Sequence, residues 1–280
     1  MKIHVLGRYA GCPGPGGSCS GYLVEVGSQR ILLDCGPGVL GRLQTVCTLE
    51  ELDAIVLSHL HADHCLDLIP LSYGLMARCQ THTRDRKLKY VPLYVPAGTR
   101  ATLKAVSQSL GHEEFRFDPK DGAAPVYDEF RQMHLSQDDF LFSLLPCVEY
   151  RRNGSLTLGD VRLQMREMKH NVPTSGIRIE HEQAVFVYSA DTALCPQLVT
   201  LAQGAHTFLC EATTTPDDAD FYAFHMSAYE AGLVAQEAQV QRLLLTHISP
   251  WVDETLVFSE ARRAFTGILQ LAHEHECIIV

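Results

Sequence analysis

The stretch Ser58-His59-Leu60-His61-Ala62-Asp63-His64 is the strongest signal in the sequence, because it places four side chains able to bind metal within six residues. It continues an apolar run, Ala54 to Ser58, which we predict to be a buried strand. A helix would spread the four side chains around its circumference, whereas a turn just past a strand can point all of them inward. Imidazole and carboxylate suit Zn²⁺, and also Mn²⁺ or Fe²⁺. Four ligands this close in sequence cannot all reach a single tetrahedral ion in good geometry, so the stretch predicts two metal ions.

The same pattern, an apolar run that leads into a side chain able to bind metal or move a proton, occurs three more times, before Asp191, Glu211 and His247. In α/β sheets, ligands gather beyond the carboxyl ends of the strands. We therefore expect these side chains to converge from distant parts of the chain. Ser58-His59 and Thr246-His247 also echo each other, which predicts two related β-rich halves that face each other.

Length and composition are those of a folded, acidic protein. With 46% hydrophobic and 20% charged residues, the chain can bury a sizeable core and does not match a disordered segment. The formal charge of -10 disfavours a surface that grips nucleic acid throughout, since such surfaces depend on clustered Lys and Arg. No apolar run approaches the roughly 20 residues that span a bilayer. Ten cysteines without a CxxC pair suit reduced thiols, so we expect a cytoplasmic protein with no membrane partner.

Apolar runs alternate with helical patterns over most of the chain, which is typical of an α/β protein. Asn153-Gly154 is a type I′ hairpin signal, and the pattern from Thr255 to Leu269 predicts a helix. The irregular stretch 111–139 could link two domains, but candidate site residues occur on both sides of it. We therefore predict one domain, 1–280, with an insertion within about 111–150 that serves as a lid or a subunit contact.

The chain resembles the metallo-β-lactamase superfamily, whose signature is H-x-H-x-D-H, and within it the ribonuclease Z-related phosphodiesterases. The resemblance covers most of the chain. Beyond the signature it rests on the segments Gly16 to Val24, Ile31 to Gly38, Lys169 to Ile179, Ser189 to Thr192, Glu211 to Thr213, His225 to Ser227 and Leu245 to Pro250. It implies a four-layer αββα sandwich with the site at one edge between two mixed sheets, and a homodimer.

The resemblance also implies two zinc ions per chain, with Mn²⁺ or Fe²⁺ as alternatives, in two ligand sets: His59, His61 and His170, and Asp63, His64 and His247. Asp191 would bridge the ions together with the attacking hydroxide. Asp63 would also accept a proton from the attacking water, and His225, paired with Glu211, would protonate the leaving oxygen. Ordinary roles remain open at this point, since His170 could be a loop histidine and Glu211 a cap.

Two departures from ribonuclease Z bear on the substrate. Only 21 positions separate His170 from Asp191, which leaves room for a hairpin but not for the long arm with which bacterial ribonuclease Z enzymes grip tRNA. Trp251 stands where the RNA-processing enzymes usually continue with Arg-Tyr. We therefore expect a phosphodiesterase for small molecules, with cyclic nucleotides the best specific candidates. The alternatives are a tRNA 3′-processing ribonuclease, a lactone or ester hydrolase on the same metal platform, and a protein that only binds.

Other signals are weaker. The Gly-rich loop Gly11 to Gly17 lacks the spacing of a phosphate-binding loop, so we expect a tight turn that brings backbone close to the metal site. Cys19 stands where a serine hydrolase has its nucleophile, but no helix follows it. The basic stretch Arg78 to Lys89 could touch a phosphate or a partner subunit, although a solvated surface explains it as well. The role of residues 74–150 stays open.

Overall fold

Two seven-stranded mixed sheets lie in the computed structural model, which describes residues 1–81, 90–110, 140–214 and 223–280. The first sheet contains, in spatial order, β14 (Cys277–Ile279), β1 (Lys2–Gly7), β2 (Gly21–Val26), β3 (Gln29–Leu33), β4 (Ala54–Val56), β5 (Leu93–Pro96) and β6 (Cys147–Tyr150). The second contains β13 (Ile268–Leu271), β12 (Arg242–Thr246), β11 (Thr207–Glu211), β10 (Ala184–Tyr188), β9 (Ser175–His181), β8 (Val161–Glu167) and β7 (Gly154–Leu158).

Each sheet changes from antiparallel to parallel pairing along the chain. In the first sheet, β1 to β3 pair antiparallel and β3 to β6 pair parallel. In the second, β7 to β10 pair antiparallel and β10 to β13 pair parallel. The carboxyl ends of parallel neighbours lie at one edge of a sheet, and ligand sites form beyond that edge. This topology confirms the prediction of two related β-rich halves.

Helices cover the outer face of each sheet. On the first sheet lie α1 (Val39–Leu43), α2 (Ala62–Cys65), α3 (Leu68–Thr81), α4 (Arg100–Ser109) and α5 (Phe140–Leu144), and on the second lie α6 (Pro196–Ala202), α7 (Ala228–Glu237) and α8 (Glu254–Ala264). Helix α7 begins at a capping box in which Ser227 and Glu230 satisfy each other's backbone N–H groups. Two outer helical layers and two sheets confirm the predicted αββα sandwich.

A third apolar layer fills the space between the sheets. The alternation of strand side chains produces it: Leu243 and Leu245 of β12 face the outer helices, whereas Leu244 packs between the sheets. Tyr22 of the first sheet and Tyr188 of the second meet there, with ring centroids 5.2 Å apart. The Tyr22 hydroxyl hydrogen-bonds the hydroxyl of Thr246 across the layer at 2.6 Å. This contact joins the two sheets directly beside the edge that carries the candidate ligands.

Two local predictions were wrong. Asn153-Gly154 does not close a hairpin, because β6 before it pairs with β5 in the first sheet while β7 after it pairs with β8 in the second. The predicted helix from Thr255 to Leu269 ends at Ala264, and Phe265 already has extended backbone angles. Ile268 then pairs in parallel with Arg242 as the start of β13, so strand pairing outweighed the local helical pattern.

The predicted insertion falls only partly on described residues. The irregular stretch 111–139 lies outside them, as does the basic stretch beyond residue 81. Residues 140–150 contain α5 and β6, and β6 extends the first sheet as its edge strand. The single-domain assignment stays a prediction. Among the described residues, none of the helices has both the length and the apolar composition of a membrane span.

Candidate metal centre

Three candidate side chains follow the carboxyl ends of parallel strands. His59 follows β4, Asp191 follows β10, and His247 comes directly after β12. Positive φ angles at Ala190 (53°) and at His247 (51°) turn the chain sharply where these strands end. His170 lies in the segment that precedes β9. Because β9 is the antiparallel neighbour of β10 in the second sheet, the start of β9 lies beside the end of β10. The predicted convergence at one edge is therefore present.

The signature stretch has a different local structure from the turn that we predicted. His61 is extended and precedes the one-turn helix α2, which carries Asp63 and His64. The amide of His64 donates to the carbonyl of His61 at 3.0 Å, so a single helical turn is enough to bring these side chains together. A short helix that starts after the second histidine avoids the spread that a longer helix would cause.

The structure brings all seven predicted ligands into one cluster. Their ligand atoms form two groups in which every atom lies within 4.8 Å of the others: His59, His61, His170 and Asp191, and Asp63, His64 and His247. Asp191 joins the groups, since one of its oxygens lies 3.6 Å from His59 Nε2 and 3.4 Å from His247 Nε2. Its other oxygen lies 3.3 Å from His64 Nε2. This is the partition that the resemblance implied, and the assignment of each residue as a ligand stays a prediction.

The donor set fits metal ions. His59 Nε2 is buried and has no hydrogen-bond partner, which is a costly state unless a cation lies beside it. Burial lowers the pKa of His59 well below its usual value and keeps the imidazole neutral, as a ligand requires. For Asp191, burial raises the pKa, but the surrounding histidines outweigh burial and lower it, so the carboxylate is ionised. The cluster is therefore suited to metal binding.

A buried carboxylate that sequence reasoning did not assign to the site, Asp34, organises the groups behind the ligands. It accepts hydrogen bonds from the amide and the hydroxyl of Ser58 (2.7 Å each), from His64 Nδ1 (2.8 Å) and from the Tyr188 hydroxyl (2.8 Å). A partner on Nδ1 orients a histidine so that Nε2 faces the metal. The signal was present in the sequence, because Asp34 also follows an apolar strand, β3.

The predicted proton-transfer pair is also assembled at the cluster. His225 Nδ1 lies 3.1 and 3.2 Å from the two oxygens of Glu211, and the His225 ring stacks on that of His247 with centroids 5.6 Å apart. Burial alone would lower the pKa of His225, but the charge and hydrogen bond of Glu211 outweigh it and raise the pKa to about 9. The imidazolium is therefore the stable form at neutral pH, which suits a proton donor.

The Gly-rich loop touches the centre through its backbone, as predicted. The amide of Gly11 donates to Asp63 Oδ2 at 2.7 Å, and Gly11 has a φ of 70°. Cys19, the alternative nucleophile, is buried, and burial together with the charge of Asp63 raises its pKa to about 12. A thiol with that pKa supplies almost no thiolate at neutral pH, so Cys19 is not a nucleophile.

Comparison with known proteins agrees with this geometry. Residues 29–248 match the family model described as "Beta-lactamase superfamily domain". The chain belongs to the beta-lactamase superfamily. A Mycobacterium tuberculosis relative with the name "Uncharacterized protein Rv1339" is 36% identical over 95% of this chain and 88% of its own length. A ribonuclease Z of Mycobacterium bovis is 29% identical over 98% of this chain and 96% of its own.

A structural relative covers the whole fold. The Bacillus subtilis protein named "Probable metallo-hydrolase YhfI" is 28% identical over 97% of both chains. Its crystal structure matches with a TM-score of 0.79 over 99% of both chains, at 24% identity. The chain is accordingly a metallo-hydrolase of the beta-lactamase superfamily with ribonuclease Z-like relatives.

The backbone at Gly36 lies in close contact with the backbone of Asp63 in the candidate centre. A Cβ added at Gly36 would lie 1.9 Å from the carbonyl oxygen of Asp63, a contact that backbone must move to relieve. We expect Gly36→Ala to displace the segment that carries Asp63 and His64 and to weaken metal binding by at least about tenfold. Metal analysis after dialysis measures this. Gly41→Ala is the matched control, because a Cβ there meets nothing within 4 Å. Equal metal content in both variants would contradict the prediction.

Proposed function

We propose that the chain is a phosphodiesterase for small phosphodiesters, with cyclic nucleotides the best specific candidates. The observation that carries the proposal is the Glu211–His225 pair, which lies against the cluster: His225 is 5.1 Å from His170 between ring centroids and stacks on His247. Cleavage of a phosphodiester at neutral pH expels an alkoxide, which needs a proton, and His225 lies where it can supply one. The pair supports phosphodiester chemistry.

Two zinc ions are the proposed cofactors. His59, His61 and His170 would hold one ion, Asp63, His64 and His247 would hold the other, and Asp191 would touch both. The ions would supply Lewis acidity toward the phosphoryl oxygens and a nucleophilic water at neutral pH. Asp63, to which the Gly11 amide donates, would accept the proton of the attacking water. His225 would deliver a proton to the leaving oxygen while Glu211 keeps its ring oriented.

The short segment between His170 and Asp191 in the second sheet supports a small substrate. The segment between His170 and Asp191 contains β9, a turn at Glu182 and β10, and no arm that could hold a folded RNA. The net charge of -10 adds no general attraction for a polyanion. A cyclic nucleotide meets the chemistry of the site because it has one phosphodiester with an alkoxide leaving group. The homodimer and the cytoplasmic location stay predictions.

Cleavage of a tRNA precursor is the second candidate, and one observation favours it. The Mycobacterium bovis relative that is named ribonuclease Z aligns over 98% of this chain at 29% identity. A surface other than such an arm would then bind the RNA. We rank this candidate below the first, because the hairpin between His170 and Asp191 has taken the place of the arm.

A substrate panel tests the proposal. The zinc-loaded chain would be incubated with 3′,5′- and 2′,3′-cyclic nucleotides and with a tRNA precursor that carries a 3′ trailer, and products would be identified by mass spectrometry. We expect a cyclic nucleotide to be opened to its monophosphate. Cleavage of the tRNA precursor alone would favour the second candidate. The phosphodiester assignment would be refuted if the chain cleaved neither the cyclic nucleotides nor the tRNA precursor and hydrolysed lactones or thioesters instead.

A further inference from the structure

One hydroxyl group lies between a candidate metal ligand and the proton-transfer pair. Thr213 Oγ1 is 2.7 Å from Glu211 Oε2 and 2.7 Å from His247 Nδ1. The topology explains the meeting, since β11 and β12 are parallel neighbours with Glu211 opposite Thr246. Thr213 and His247 therefore follow the same sheet edge on adjacent strands.

The hydrogen-bond donors can be assigned along this contact. His247 turns Nε2 toward the cluster, and a metal ion bound at Nε2 would leave the ring proton on Nδ1. Nδ1–H then donates to Thr213 Oγ1. The hydroxyl proton donates to the Glu211 carboxylate, which is closer than the His247 carbonyl oxygen at 2.9 Å and carries charge. One hydroxyl accepts from the ligand and donates to the pair.

Glu211 is held from several directions, and Thr213 supplies one of them. The amide of Thr192 donates to Oε1 at 2.5 Å, and the amide of Met226 donates to Oε2 at 3.2 Å. These backbone donors stay in place when a side chain is replaced. The hydroxyl of Thr213 is therefore the contact that can be removed without leaving this buried carboxylate unpartnered.

We propose that Thr213 is a positioning residue that fixes His247 and the Glu211–His225 pair relative to each other through its hydroxyl group. Its action on His247 concerns metal retention, because a partner on Nδ1 sets the orientation of a ligating histidine. Its action on Glu211 concerns the delivery of the leaving-group proton, and that half rests on the proposed function. The same side chain thus serves both parts of the centre.

The test removes the hydroxyl and keeps the shape. In Thr213→Val, the affinity for the zinc ion that Asp63, His64 and His247 would hold should fall by roughly 10–100-fold, the usual effect of removing a hydrogen-bond partner of a ligand. Competition with a chromophoric chelator measures this affinity. With zinc saturating, kcat for a cyclic nucleotide should fall by about tenfold or more. Hydrolysis of bis(4-nitrophenyl) phosphate, whose leaving group needs little protonation, should change much less.

Two controls separate the hydroxyl from general damage. Thr213→Ser keeps the hydroxyl and should recover both properties to within about threefold of the unaltered chain. Thr207→Val makes the same change at the other end of β11, where the buried hydroxyl has no hydrogen-bond partner, and should alter neither. If Thr213→Val did not fold, Thr213→Ala would replace it under the same criteria.

The outcomes are distinct. The inference would be overturned if Thr213→Val matched the unaltered chain in zinc affinity and in the dependence of its rate on the leaving group. It would also be overturned if Thr213→Ser were as impaired as Thr213→Val. If the unaltered chain opened no phosphodiester, the proposed function would fail instead. The zinc competition would then still decide whether Thr213 holds His247.

Discussion

An Asp191→Asn chain is expected to lose both metal ions and almost all activity. Asp191 is 1% exposed and lies between four histidines, with oxygens 3.3 to 3.9 Å from nitrogens of His59, His64, His170 and His247. The substitution replaces the carboxylate that lies between the two groups by a neutral amide of the same shape. Metal ions stabilise the transition state by several kcal/mol, so their loss should lower the rate by about 10³-fold or more.

The measurement combines metal analysis with kcat/KM on the preferred phosphodiester. Asp160→Asn is the matched control, because Asp160 is also a carboxylate in contact with a histidine, 2.9 Å from His181, but lies on the surface. We expect the control to keep its metal and its activity. An Asp191→Asn chain that retained two ions and acted within about tenfold of the unaltered chain would show that Asp191 does not bridge the site.

The second large effect is expected from His225→Ala, and it should depend on the leaving group. Hydrolysis of a cyclic nucleotide, which expels a ribose alkoxide, should slow by about 10²–10⁴-fold, the range that a positioned acid contributes. Diesters with a 4-nitrophenolate leaving group should slow by less than about tenfold, since that anion leaves without a proton. Metal content should not change, because the predicted ligand sets do not include His225.

A control and a contrary result define this prediction. His181→Ala removes a histidine that is also paired with a carboxylate, at the β9–β10 hairpin, and should leave both rates unaltered. Loss of zinc from His225→Ala would assign His225 to the metal instead, an arrangement that its nearness to Asp191 and His247 permits. Lactone turnover that survives His225→Ala, in a chain without phosphodiester turnover, would favour the ester-hydrolase alternative.

The place of the site could be predicted from local features of the sequence, whereas the αββα fold was predicted from the resemblance to the metallo-β-lactamase superfamily. The apolar runs before His59, Asp191 and His247 indicated buried strands, and the side chains that follow such strands meet at one edge where the strands of a sheet run parallel. The residue types in the signature stretch set the chemistry, since imidazole and carboxylate are zinc ligands in any fold. Neither inference needed a distance between residues far apart in the chain.

Pairing between distant segments was decided only by the tertiary structure. Asn153-Gly154 has the composition of a hairpin turn. However, β6 pairs with β5 in the first sheet and β7 pairs with β8 in the second, so the dipeptide connects the two sheets. Residues beyond Ala264 follow a helical pattern, but the open edge of β12 accepted Ile268 to Leu271 as a strand. Strand pairing depends on which edges are available, and that information is not local.

The side chains that hydrogen-bond the candidate metal ligands were also identified only by the tertiary structure. Asp34 orients His64 across 30 positions of sequence, and Thr213 reaches His247 across 34. A serine, a threonine or an aspartate at such a position has many ordinary roles, so its type alone does not assign it to the site. The sequence by itself determined which side chains could bind metal and which sheet edge would carry them. The fold decided which hydroxyls and carboxylates orient them, because a hydrogen bond requires two groups within about 3 Å of each other.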